Sequence, residues 1–292
     1  MKVLVTGATG YLGSHLARRL LLDGHEVAAF KRHGSTFSRL HNVVDDIAWY
    51  YSEEPDLSEA FKRHDGFDAI IHTATCYGRN GESSAAIFDA NTKFPVRLLD
   101  AASYFNTGTF FNTDTILYPY LNLYALSKKQ FAEWGKLVSG QCGTRFVNIR
   151  LEHMYGPHDD PSKFTTHIIR QCLRNVPAIA LTPGEQLRDF VYVDDTVSAY
   201  IQMLEQQTSL PRRYVNVGLG SGDAVTVREF VELVHRRCSS TTKLDFGATP
   251  YREHEIMQSA ADISFLLQLG WKPQITLEAG LAITIETEKN LI

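Results

Sequence analysis

KVLVTGATGYLG, residues 2–13, decides the fold of this 292-residue chain. Its first five residues are an apolar run of the length and composition of a buried strand. Gly7, Gly10 and Gly13 then punctuate a turn, and Leu12, Leu16, Ala17 and Leu20 recur at helical spacing until Gly24 supplies a stop. A glycine turn between a strand and a helix lets the backbone approach a guest closely. It also aims unpaired helix N–H groups and the helix dipole at the guest's negative charge. The guest predicted is the pyrophosphate of a dinucleotide, cradled by Gly7, Gly10, Tyr11, Leu12 and Gly13.

Outward from this turn, strands are predicted at residues 26–30 (EVAAF), 47–51 (IAWYY), 68–72 (DAIIH), 109–112 (TFFN) and 145–151 (RFVNIRL). Helical stretches at 57–63, 90–102 and 126–138 alternate with them, so an α/β fold with a doubly wound parallel sheet follows. From Gly156 the texture changes to prolines and loops at Pro157, Pro161, Pro177 and Pro183, with a helix at 164–174. Strand-like runs at 190–193 and 214–217 flank a helix at 196–206, and the second run is able to return to the main sheet. Residues 1–155 and 190–219 are therefore assigned to the dinucleotide-binding domain. Residues 156–189 and 220–292 form a smaller, discontinuous substrate-binding lobe. Asp194 and Asp195, just before the helix at 196, read as N-cap residues.

Composition excludes several classes. A net charge of −4 gives no general attraction to nucleic acid, and no apolar run approaches the roughly 20 residues that span a bilayer. Cys76, Cys142, Cys172 and Cys238 form no CxxC pair, which argues for a reducing compartment. With a core strand at the start and no leader pattern, a cytoplasmic location is expected. His153, His158 and His167 lack compact ligand spacing with Asp159 and Asp160, so no metal is expected.

Chemistry is read from two places. After the second strand, an Asp or Glu would accept a hydrogen bond from a ribose 2′-hydroxyl, but Lys31 and Arg32 stand there. Cations fit a 2′-phosphate, with Ser35, Ser38 and Arg39 close by, so NADP(H) is preferred and NAD(H) is the second option. Tyr124 and Lys128 form a YxxxK pair on one helix face, following a strand that ends in Asn112, Thr113, Asp114 and Thr115. Hydride delivered to a ketone leaves an alkoxide that needs a proton. A phenol beside an ammonium group is a suitable donor, and Thr113 is placed to hold the carbonyl.

RDFVYVDD (188–195), IRLEHMYGP (149–157) and the tail from Tyr251 through LGW (269–271), with glycines spaced GxxGxxG, resemble the extended short-chain dehydrogenase/reductases of the NAD-dependent epimerase/dehydratase family. The resemblance spans nearly the whole chain. It implies a Rossmann domain, catalytic roles for Thr113, Tyr124 and Lys128, and a grip on a nucleotide diphosphate by Arg188 and Arg252. His153, a further candidate for substrate contact, stands where many relatives carry an asparagine; Thr75 and Tyr77 are read as bearing on the sugar's pose, and Lys163 as a contact to base or ribose or, equally, as lobe packing. Dehydratases of the family carry a glutamate after the Thr-Asp pair; Thr115 stands there, which argues against dehydration. The NTDT segment, the short gap from Thr113 to Tyr124 and LYALSKKQF (123–131) resemble nucleotide-linked 4-keto-6-deoxyhexose reductases.

The expected activity is NADPH-dependent reduction of the 4-keto group of a CDP- or dTDP-linked 4-keto-6-deoxyhexose. A nucleotide-sugar 4-epimerase with retained NAD is the enzymatic alternative. A non-catalytic NADP(H)-sensing regulatory protein is the alternative from another class, against which the complete Thr113, Tyr124 and Lys128 set weighs. The resemblance also implies a homodimer built through the helices at 90–102 and 126–138.

Overall fold

In the computed structural model, which describes residues 1–292, the opening run forms β1 (Lys2–Thr6), buried from Val3 onward. It pairs in parallel with β2 (Glu26–Lys31) on one side and β4 (Ala69–His72) on the other. β3 (Ile47–Tyr51) lies beyond β2, while β5 (Thr109–Thr115), β6 (Arg145–Leu151) and β10 (Tyr214–Leu219) lie beyond β4. The order β10-β6-β5-β4-β1-β2-β3 reverses direction between β1 and β4. Such a reversal opens a crevice at the carboxyl ends of the strands, where doubly wound sheets bind ligands. The glycine turn sits at that end of β1.

Helices α1 (Tyr11–Leu22), α2 (Ser58–His64), α3 (Ser84–Phe88), α4 (Phe94–Tyr104) and α5 (Leu123–Ser139) connect these strands. A five-residue π-helical turn, Asp89–Lys93, joins α3 to α4, where the sequence had predicted unbroken helix from residue 90. Phe61, Phe110, Phe131 and Phe146 pack with Leu4 and Leu98 in one buried cluster. Phe110 and Phe146 stack with ring centroids 5.4 Å apart. α5 approaches them so closely that a Cβ on Gly135 would overlap the Phe146 ring.

The chain divides into two units: residues 1–150 with 197–217, and residues 151–196 with 218–292. In the second, β7 (His153–Tyr155), β9 (Leu187–Tyr192) and β11 (Ala224–Thr226) form a sheet with β9 central, and β8 (Ala178–Leu181) pairs with β12 (Lys243–Phe246). α6 (Phe164–Leu173), α8 (Val227–Arg237), α9 (Ser264–Gln268) and α10 (Leu277–Lys289) complete it, and α7 (Val193–Glu205) runs across the division. A capping box starts α8: the Thr226 hydroxyl accepts from the Glu229 amide, and the Glu229 carboxylate accepts from the Thr226 amide.

These divisions differ from the sequence boundaries, which put residues 151–155, 190–196 and 218–219 with the dinucleotide unit. Two buried carboxylates tie the segment around 190–196 into the second unit. Asp189 accepts from the amides of Ser221, Gly222 and Ala261. Asp195 accepts from those of Gln274 and Ile275 at 2.9 Å each. Asp194 and Asp195 are consequently inside the first turn of α7, not capping it, and Asp195 serves a distant segment. No helix is long and apolar enough to cross a membrane.

Candidate active site

The glycine turn is closed to side chains by backbone. Gly7 takes a φ of +73°, and a Cβ there would lie 2.7 Å from the Ala74 nitrogen. A Cβ on Gly13 would overlap the Gly7 carbonyl, to which Gly10 donates at 2.8 Å. α1 starts without a side-chain cap, so its first N–H groups, around Tyr11, Leu12 and Gly13, lack a side-chain acceptor at the turn. Lys31 ends β2, but its Nζ lies over two rings, 5.1 Å from the Phe37 centroid and 4.7 Å from that of Tyr51. Arg32 is exposed, and the Arg39 guanidinium lies 5.3 Å from the Tyr11 ring centroid.

Asn122 caps α5, accepting from the Ala125 amide at 2.8 Å, and this fixes Tyr124 and Lys128 in its first turns. Lys128 is 2% exposed. Burial lowers its pKa from 10.5 to about 8, with Asp114 opposing and Lys129 reinforcing the shift. Burial raises the Tyr124 phenol well above the ordinary tyrosine value. Tyr77 and Asp114 push the same way, while a hydrogen bond with Thr115 and the charge of Arg79 oppose. The phenol is therefore held protonated, and the lysine is poised between its charge states near neutrality.

The hydroxyls at the end of β5 divide their tasks. Thr113 shares a 2.6 Å hydrogen bond with the Tyr200 hydroxyl, whereas Thr115 Oγ1 accepts from the Leu117 amide at 3.3 Å. Between them Asp114 is buried and fully committed. It accepts from the Thr115 amide at 2.7 Å, Lys129 at 2.9 Å and Asn148 at 3.0 Å. Asn91 belongs to this site although its sequence context did not single it out. Asn91, in the π-helical turn, accepts from the Cys76 amide at 2.7 Å and donates to the Cys76 carbonyl at 2.8 Å and Ser127 Oγ at 3.0 Å. Asp89, Asn91, Thr92 and Lys93 in this run are all polar, so the sequence carried no signal that set Asn91 apart.

Of the expected substrate residues in the first unit, Thr75 donates to Asn91 at 3.1 Å, while Tyr77 lays its ring 4.9 Å from that of Tyr124. In the second unit His153 packs on Phe190, with ring centroids 5.8 Å apart, and lies beside Glu152. Lys163 precedes α6 and pairs with Asp159 at 3.0 Å. Arg188 is buried, with its guanidinium donating to the Glu255 carboxylate and to the carbonyls of Leu187 and Ile256. Arg252 is exposed. No group of three or more His, Cys, Asp or Glu side chains is arranged to hold a metal ion.

The profile of the NAD dependent epimerase/dehydratase family matches residues 3–218. CDP-abequose synthase of Salmonella muenchen is 32% identical over 287 residues, covering 96% of this chain and 95% of that protein. The UDP-glucose 4-epimerase of Thermotoga maritima, solved with UDP-glucose, superposes with a TM-score of 0.86 at 21% identity, covering 100% of this chain and 99% of that one. The UDP-glucuronic acid 4-epimerase of Bacillus cereus, solved with UDP-glucuronic acid and NAD, gives 0.85 at 21% identity, covering both chains completely. At these identities the two structures establish the shared fold.

Proposed function

Because the chain belongs to the NAD-dependent epimerase/dehydratase family, we propose that it is an NAD(P)-dependent enzyme acting on nucleotide sugars, and within that class a reductase. Its reaction is NADPH-dependent reduction of the 4-keto group of a CDP- or dTDP-linked 4-keto-6-deoxyhexose to the 4-hydroxy sugar. The observation that carries this reading is the pairing on α5 of a phenol held protonated with a buried lysine. The likeness to CDP-abequose synthase over nearly the full length supports the choice of substrate class.

A turn closed to a Cβ at Gly7 and Gly13 and an uncapped helix start fit the pyrophosphate of a nicotinamide dinucleotide, which supplies the hydride when bound. Gly7, Gly10, Tyr11, Leu12 and Gly13 would hold it, with Arg32 and Arg39 toward the 2′-phosphate. Tyr124 gives its phenolic proton to the alkoxide oxygen at C4, breaking the Oη–H bond and leaving a phenolate. The Lys128 ammonium, still largely protonated at neutral pH, stabilises that phenolate and would hold the cofactor's ribose. Thr113 and Thr115 orient the carbonyl and the phenol. In the second unit Arg188 and Arg252 bind the nucleotide diphosphate, for which Arg188 exchanges the Glu255 carboxylate for phosphate oxygen. Asp114, locked by three donors, is not free to serve as the acid that dehydration needs.

Loss of NADPH absorbance on addition of either sugar nucleotide tests the reading. The Tyr124→Phe protein serves as control. A nucleotide-sugar 4-epimerase with retained NAD is the second reading, favoured by one observation: the Lys31 ammonium is engaged by Phe37 and Tyr51. Purification with stoichiometric NAD would select it. A homodimer belongs to the first reading, supported by the exposed apolar surface of Tyr104 on α4 and of Trp134 and Leu137 on α5. Light scattering showing a monomer at working concentration would remove it.

A further inference from the structure

The loop after β4 carries a cation that no step above uses, and the loop is built to deliver it to the phenol. Its base is clamped through Cys76, whose amide and carbonyl both bond Asn91. Asn91 also bonds Ser127 Oγ, and that hydroxyl donates to the Tyr124 carbonyl at 2.9 Å. Beyond the clamp, Gly78 takes a φ of +69°, and a Cβ there would lie 2.7 Å from Ile87 Cδ1, so the loop turns against α3. From this base the Tyr77 ring, 44% exposed, meets the Tyr124 ring with centroids 4.9 Å apart at 38°. The Arg79 guanidinium in turn lies 4.7 Å from the Tyr77 centroid. A closed circuit results: Tyr124 to Ser127, to Asn91, to Cys76, to Tyr77 and back to Tyr124, with Arg79 stacked on its outer member.

We propose that Arg79 is a positioning residue for Tyr124, holding the phenol in place through Tyr77 and supplying the site with a positive charge additional to Lys128. A guanidinium over an aromatic face is attracted by the negative face of the ring, so it fixes the ring's orientation. The charge then acts on whatever that ring touches. The groups acting on the phenol are Tyr77 and Arg79 from the loop and Asp114 and Thr115 from β5, with Lys128 one helical turn along α5 and Lys129 bound to Asp114. Tyr77 and Asp114 disfavour the phenolate, whereas Arg79 favours it. Removing Arg79 therefore leaves a less acidic and less ordered phenol.

This inference rests on Tyr124 being the proton donor, so the primary readout does not require turnover. In protein labelled with 3-fluorotyrosine, whose phenol ionises at lower pH than tyrosine's, the Tyr124 resonance is the one missing from Tyr124→Phe. Arg79→Met is expected to displace that resonance beyond its linewidth. Arg79→Lys, which keeps the charge, should restore most of the shift. On a Tyr77→Leu background, Arg79→Met should displace the resonance much less, as a coupled pair requires. In turnover, Arg79→Met should lower kcat with KM little changed, and Arg79→Lys should recover most of the loss. An unmoved resonance in correctly folded Arg79→Met protein overturns the proposal, and equal effects with and without Tyr77 overturn the route through that ring. Should the resonance move while no nucleotide sugar is reduced, the reductase reading falls and the Arg79–Tyr77–Tyr124 coupling stands.

Discussion

Tyr124 and Lys128 sit one helical turn apart, and burial shifts their pKa values in opposite directions, each toward the neutral form. For the tyrosine this suits proton donation, and Tyr124→Phe should lower turnover by ~10²- to 10⁴-fold while leaving NADPH binding intact. For the lysine it has a cost in stability. Below pH 8 both folded and unfolded chains carry the Lys128 proton, and the folded state bears the full burial penalty. Between about 8 and 10.5 the folded lysine loses its proton first, so stability rises across that window. Lys128→Met should therefore raise unfolding stability at pH 7 by about 2 kcal/mol, with the gain fading toward pH 10, while turnover is lost. Urea denaturation at pH 7 and pH 10 measures this; a less stable variant at pH 7 would mean that the buried ammonium is well paired. The YxxxK pair was readable from the sequence because its spacing is local. Asn91 was not, because its bonds to Cys76 and Ser127 depend on chain segments brought together by folding.

Among the elements, strands with runs of apolar and aromatic residues, such as β3 and β6, fall where the sequence placed them, since those residue types favour strands. β5 extends three residues further, to Thr115, because the polar side chains NTDT find buried partners there and need not form a loop. α7 starts three residues early for a related reason: Asp195 is paired with the amides of residues 274 and 275, a connection invisible to helix-start patterns. Two substitutions test elements directly. Gly13→Ala drives a Cβ into the Gly7 carbonyl and should cost more than about 2 kcal/mol and abolish dinucleotide binding, measured by thermal unfolding with and without NADPH. Thr226→Ala opens the capping box of α8 and should cost about 1 kcal/mol by the same unfolding measurement.

Across the whole molecule, the αβ alternation made the doubly wound sheet readable from its first thirteen residues onward, and the sheet order reverses where a dinucleotide fold requires. The second unit was readable as a region of prolines and short elements, but its limits were not. They depend on Asp189 and Asp195, whose partners lie 32 to 80 residues away. The fold is shared with UDP-sugar 4-epimerases, while the sequence is similar over nearly its full length to a CDP-abequose synthase, so architecture alone does not choose the reaction. The choice rests on the fate of the cofactor, which a reductase consumes and an epimerase regenerates. The most direct measurement follows NADPH absorbance when purified protein meets CDP- and dTDP-4-keto-6-deoxyhexose. The account predicts oxidation of one NADPH for each sugar converted with at least one of the two substrates, and its loss in Tyr124→Phe. Protein that binds NADPH yet oxidises none with either substrate would contradict it.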